Sequence, residues 1–409
     1  MALQPSDIPS FEDARHTVEK HATGITPTVL ETASLLEADG RVLAETLLAD
    51  RDFPPFPRST RDGYAIRSSD LSQLPAQVRL VAEIKAGAST KDSDISIGSG
   101  EAARIMTGAP VPKGADAVVM VEYTEEREGM IHITRSVTAG ENVVPTGSEA
   151  KQGATLVSKG ALLTDAAIAI AASIGKVQLQ VYARPTIAVL ATGDEIVDVR
   201  LQPQPNQIRN SNTYSLGSQI KSAGAKPVLL PIAPDEPQRL RELIKDGLRS
   251  DLLLLAGGVS MGKYDLVEIV LMDLGAEFFF TGAQIQPGKP IVFGRVRGKY
   301  FFGLPGNPVS TMVTFDLFAR PMIEALAGQM PRPLRFLHAR LKTDVSTKTG
   351  LTRFLPAILS GEFATTDVEL VRWQGSGDIA STARANCYLV VPPERERINS
   401  GEMVSVLMK

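Results

Sequence analysis

Three loops in the second half of the sequence combine glycine with acidic or helix-capping residues. They read Ala191-Thr192-Gly193-Asp194-Glu195, Gly257-Gly258-Val259-Ser260-Met261-Gly262-Lys263-Tyr264-Asp265 and Gly303-Leu304-Pro305-Gly306-Asn307-Pro308-Val309-Ser310. Each follows an apolar, strand-like run. In an open α/β sheet, ligands bind beyond the carboxyl ends of the strands, where loops lead into helix N-termini with unpaired N–H groups. Glycine lets such groups come close to an oxyanion, and Asn307 stands where it would cap the following helix. A tight turn explains any one of these loops. Three on one sheet edge point to a shared crevice.

The neighbouring carboxylates suit a hard cation that bridges phosphates. Glu195 and Asp265 lie on two of the loops, and Asp235 follows the run that ends at Pro231. Asp235 reads equally well as an N-cap, because Pro234-Asp235-Glu236-Pro237 opens a helix. Lys289, in Gln286-Pro287-Gly288-Lys289-Pro290, fits either a phosphate contact through its point charge or a solvated loop lysine. Gly257, Gly262 and Lys263 match most of a P-loop, but Tyr264 replaces the Ser or Thr that would ligate magnesium, which argues against an ordinary nucleotidase. Earlier, Arg58-Ser59-Thr60-Arg61 precedes Asp62-Gly63-Tyr64-Ala65, where an Asp-Gly turn is sufficient explanation. Residue by residue, the reading reaches a magnesium-assisted site for a phosphate-bearing small molecule.

These residues need elements to position them. Ser10, with Asp13 three residues on, predicts an N-cap and a helix burying Phe11, Ala14, Val18 and Ala22. From 52 to 144, prolines, glycines and short β-rich runs predict a β-rich insertion domain. A helix capped at Thr164 and a strand alternating through Val177, Leu179 and Val181 follow, so residues 1–51 and 145–183 are expected to form one helical linker domain around the insertion. From 184 to 329, strand and helix patterns alternate, which predicts a doubly wound α/β domain. Its last parts are a hairpin around Arg297-Gly298 and a long helix, 307–326, kinked at Pro321. Short strands from 330 to 409 predict a C-terminal β-barrel.

Composition sets the outer limits. The 409 residues are 43% hydrophobic and 22% charged, with 43 Lys and Arg against 46 Asp and Glu. That is ordinary for a globular multi-domain protein and leaves no basic field for nucleic acid or a membrane surface. One cysteine, Cys387, cannot form an internal disulfide, and four scattered histidines make no zinc motif. His16 and His21, five apart, do not share a helix face. No signal peptide or membrane span is expected, which favours the cytoplasm.

Seven runs carry a further signal. In order they are 62–65 (Asp-Gly-Tyr-Ala), 104–112 (Arg-Ile-Met-Thr-Gly-Ala-Pro-Val-Pro), 192–195, 257–260, 287–290, 303–310 and 376–378 (Ser-Gly-Asp). Together they resemble the molybdopterin molybdenumtransferase family, which includes MoeA and the E domain of gephyrin. The resemblance implies four domains, including a molybdopterin-binding α/β domain and a C-terminal β-barrel. It implies that molybdate is inserted into adenylylated molybdopterin, with magnesium, releasing AMP and giving molybdenum cofactor. It gives Glu195, Asp235, Asp265, Asp62 and Thr107 to catalysis, the first three also to magnesium. It gives Gly257, Gly258, Ser260, Lys289, Pro305, Gly306, Asn307, Pro308 and Ser376 to the pterin and its phosphates, with Thr107 and Ser376 donating hydrogen bonds.

The same resemblance implies a homodimer in which Asp62 and Thr107 act across the interface, a molybdopterin adenylyltransferase upstream, and no nucleic-acid or membrane partner. The chain departs from the pattern at Glu149, where the family carries a shorter carboxylate after a basic stretch, and in the extra basicity of 58–61. Tungstate, a tetrahedral dianion like molybdate, would meet the same donors. A scaffold that keeps the fold without turnover is the competing class.

Overall fold

The structure is a computed structural model that describes residues 8–87, 95–258, 266–329, 333–362 and 365–409. Its centre is a six-stranded sheet in the order Lys226–Leu229, Thr186–Ala191, Leu252–Ala256, Lys299–Leu304, Val292–Val296, Glu277–Thr281. The first four strands run parallel. Val292–Val296 alone runs the other way, antiparallel to both Lys299–Leu304 and Glu277–Thr281, so the sheet is not wholly parallel. The hairpin causes this: Arg297 and Gly298 both take positive φ, 50° and 79°, and send the chain straight back along its neighbour. Leu252–Ala256 is buried throughout because helices cover both faces. Leu216, Ile220, Val309 and Val313 pack on one face, and Leu240, Ile244, Val267 and Val270 on the other.

The first helix, Phe11–Thr23, starts as expected, with the Ser10 side chain accepting from the Asp13 N–H. Its apolar stripe joins the α/β core rather than the linker strands, with Phe11 edge-on to Phe354 and Phe318 at 5.1 and 6.1 Å. Burying such a side chain contributes about 1.5–3 kcal/mol. The same helix answers a problem at the far end of the chain. The expected long helix is Pro308–Thr314, then a π-helical turn Phe315–Ala319, then Arg320–Leu326. Pro321 has no N–H for the Leu317 carbonyl, so the ladder loosens just before the proline. Buried Arg15 donates from Nη1 to that carbonyl and pairs with Glu19. Arg15→Met is expected to lower stability by about 2 kcal/mol, read as a lower urea midpoint, because Leu317 would lose its buried partner.

The linker is stitched from both sides of the insertion: Leu30–Ser34 pairs antiparallel with Gln178–Tyr182. Leu179 and Val181 are buried, whereas Val177 precedes the strand and is 78% exposed. A helix Asp165–Ser173 is capped by Thr164, as expected. The insertion is built on a six-stranded, half-barrel sheet, with a short ladder between Arg58–Ser59 and Val143–Val144 closing its base. In it Gly63 is no turn residue. It opens the strand Gly63–Ile66 opposite Met120, where a Cβ would lie 1.9 Å from the Val119 carbonyl oxygen. The C-terminal strands close into a five-stranded barrel, since Thr352–Ser360 pairs with both Asp367–Leu370 and Cys387–Val391. Among the described residues no helix is long and apolar enough to cross a membrane.

Candidate active site

At the carboxyl ends of the parallel strands lies a cleft of about 460 Å³, and all three glycine loops contribute to it. Thr192, Gly193, Glu195, Asp235, Gly257, Gly258 and 305–308 line it. The sheet ladders continue into its floor: the Thr192 N–H donates to Ala256 O and the Gly257 N–H to Leu304 O. The Gly257 N–H is therefore not available to a ligand. Those of Gly258, Gly306 and Asn307 have no partner among the described residues. Gly258 requires glycine: its φ is +65° and a Cβ would lie 2.6 Å from the Thr192 hydroxyl. The second and third loops touch, with Gly257 Cα 3.6 Å from the position of a Cβ on Gly306.

Asn307 holds the N-cap position, but its side chain makes no cap bond, contrary to expectation. The Val309 N–H is met from the barrel side by the Ser376 carbonyl at 3.0 Å, which places Ser376 beside the third loop through its backbone. Thr311 Oγ1 donates to the carbonyls of Pro305 and Asn307, which fixes the loop on its own helix. Asn212, which sequence reasoning passed over, donates from Nδ2 to Gly306 O at 2.7 Å and also lines the cleft. The signal was the pair Asn210 and Asn212 at a helix start; Asn210 caps it, accepting from the Thr213 N–H.

Glu195 and Asp235 both line the cleft, and Asp194 lies beside Asp235. The Gly193 φ of +132° folds the chain so that the Glu195 carboxylate lies over it, where a Cβ would meet Oε2 at 2.5 Å. Asp235 is not the N-cap; Glu236 holds that position, and the Asp235 N–H donates to Asp194 Oδ1 at 3.1 Å. Partial burial, then the charges of Asp194 and Glu195, push the Asp235 carboxyl above its usual range. Asp194 was visible in the loop motif but not singled out. These oxygens fit a hard divalent cation, although the described residues contain no closed set of three ligands. Asp265 and Ser260, with Lys263 and Tyr264 of the P-loop comparison, lie outside the described residues.

Two expected groups stand apart from this cleft wall. Lys289 is half-buried next to cleft-lining Pro290, and no carboxylate of the described residues pairs with it. Asp62 and Thr107 form their own pair in the insertion, where Asp62 Oδ1 accepts from the Thr107 N–H at 2.6 Å and hydroxyl at 2.8 Å. Those bonds hold the Asp62 carboxyl below its ordinary range. Neither residue lines the cleft of its own chain. Glu149 accepts from Arg58 Nη2 at 2.9 Å, so the added basicity of 58–61 is partly neutralised.

Three family models together span nearly the whole chain. They are the MoeA N-terminal region, domains I and II, on residues 9–175, a probable molybdopterin binding domain on 188–325, and the MoeA C-terminal region, domain IV, on 338–409. A molybdopterin molybdenumtransferase of Bacillus subtilis strain 168 is 32% identical, covering 100% of this chain and 95% of the relative. The chain belongs to the MoeA molybdopterin molybdenumtransferase family. A Nostoc relative of the same name is 35% identical over 92% of this chain and 88% of its own. The crystal structure of a molybdopterin biosynthesis MoeA protein from Pyrococcus horikoshii is 31% identical, with a TM-score of 0.74 and coverage of 98% and 99%. Of the seven runs that carry the resemblance, the described parts include the cleft loops, the Asp62–Thr107 pair and the Ser376 turn.

Proposed function

We propose that this protein is a molybdopterin molybdenumtransferase: it takes adenylylated molybdopterin and molybdate and releases AMP and molybdenum cofactor. The observation that carries the reading is that Glu195 and Asp235, with Asp194 beside Asp235, share one cleft with the loops whose Gly258, Gly306 and Asn307 N–H groups have no partner among the described residues. Such a site suits a phosphoanhydride, which needs donors for its oxygens and a counter-ion for its charge. Gly258, Gly306 and Asn307 would donate backbone N–H bonds to the phosphate oxygens, and Lys289 would add a point charge. Glu195 and Asp235 would hold magnesium, with Asp265 as the expected third ligand. When bound, that ion screens the phosphates and polarises the bridging oxygen. Pro305 and Pro308 shape the loop, and Ser376 braces it from the barrel.

Asp62 and Thr107 complete the site from a second copy of the chain in a homodimer. Their exposed, pre-organised carboxylate–hydroxyl pair lies outside their own cleft, which supports this arrangement. The enzyme would work in the cytoplasm, after a molybdopterin adenylyltransferase has made its substrate. The test is to load the purified protein with adenylylated molybdopterin and follow AMP by chromatography. Release that requires both molybdate and magnesium is expected. Retention of the intact anhydride under those conditions would contradict the reading and favour a binding scaffold.

A further inference from the structure

The third loop gives up its carbonyls one after another and leaves two N–H groups unused. Pro305 O accepts from Thr311 Oγ1, Gly306 O from Asn212 Nδ2 at 2.7 Å, and Asn307 O from the Thr311 N–H at 3.0 Å. In a planar trans peptide the C=O and the following N–H point in opposite directions, so fixing one aims the other. Thr311 therefore sets the direction of the Gly306 N–H, and Asn212 that of the Asn307 N–H. Neither N–H has a partner among the described residues, and both residues are exposed where they line the cleft. Thr311 belongs to the helix that the loop itself opens, whereas Asn212 reaches in from another helix, Asn212–Ser222. That second helix is tied to the first once more, by Gln219 Nε2 donating to Met312 O at 3.1 Å. Asn212 makes its bond at a cost: its Oδ1 is buried with no partner among the described residues, which is destabilising. Without the clamp, glycine at 306 would let this peptide turn over and present a carbonyl oxygen to an anion.

We infer that Asn212 is a positioning residue: by holding Gly306 O it keeps the Asn307 N–H turned toward the cleft, where an oxygen of the substrate's phosphoanhydride accepts it. This rests on the phosphate role proposed above for the third loop. Asn212 itself needs no contact with the substrate.

The test uses the full chain, isotope-labelled at asparagine nitrogen, with magnesium and adenylylated molybdopterin but no molybdate, so that binding is read apart from turnover. The Asn307 amide signal is assigned by its loss in Asn307→Ser. In the native protein, saturating substrate is expected to move the Asn307 amide proton downfield as it enters a charge-assisted hydrogen bond. Asn212→Ala and Asn212→Leu are each expected to weaken binding about ten-fold and to abolish that shift at saturation, with the other asparagine signals in place. Two substitutions keep the question answerable if one of them disturbs the start of the helix, and a purely structural role would not remove one amide's shift selectively. Weaker binding with the Asn307 shift intact would overturn the inference, as would native affinity in both variants. An Asn307 signal that stays still while the native protein binds would overturn it as well, without touching the proposed reaction. Failure of the native protein to bind the substrate would remove the transferase reading first, and the positioning inference with it.

Discussion

Asp235→Asn is expected to lower molybdate-dependent AMP release by about 10²- to 10³-fold while making the free protein more stable at pH 7. The two effects share one cause. Burial and the charges of Asp194 and Glu195 raise the Asp235 pKa in the folded state above its reference of 3.8. The folded state therefore holds the proton more tightly than the unfolded chain. Stability from this group is fully present below pH 3.8 and is lost as pH rises through the raised value. At pH 7 the native carboxylate is ionised at a cost that the asparagine avoids. Melting curves should place the variant above the native protein at pH 7 and converge with it in acid. Magnesium should narrow the gap at pH 7, since a cation relieves the repulsion only in the native protein. A variant less stable than native at pH 7 would show that Asp235 is mainly a structural acceptor.

Mixing two inactive variants is expected to restore activity. Asp62→Ala removes the carboxylate held by Thr107, and Glu195→Gln removes one from the cleft. If each site draws Asp62 from one subunit and Glu195 from the other, a heterodimer contains one site with both losses and one with neither. Random reassociation makes about half the dimers mixed, so about a quarter of native activity should return. Each variant alone should retain about 1% or less. No recovery after verified subunit exchange would place both residues in the same chain's site or remove Asp62 from it.

Much of this arrangement is legible in the sequence, because the signals are local. Ser10 and Thr164 announce their helices, Arg297-Gly298 announces the hairpin, and the three glycine loops mark the strand ends that line the cleft. What escapes sequence reading depends on partners far away in the chain. The π-helical turn before Pro321 is completed by Arg15, roughly three hundred residues earlier, and no periodicity reveals that contact. Gly63 reads as a turn because Asp-Gly usually is one; only the Val119 carbonyl across the sheet shows that its missing side chain matters. For Asp235 the sequence leaves an N-cap and a cleft carboxylate equally open, and the choice is made by Glu236 holding the cap position and by Asp194, on another loop, accepting the Asp235 N–H. Asn307 has the right position and residue type for a cap, yet its side chain makes no cap bond.

The most direct measurement of the central claim compares native protein with Glu195→Gln for AMP released and molybdenum incorporated, at matched magnesium. The account predicts that the native protein releases AMP and incorporates molybdenum in equal amounts, only when molybdate is present, and that both fall sharply together in the variant. Equal release by the two proteins would move catalysis away from Glu195. Binding of adenylylated molybdopterin without release by either would contradict the transferase itself.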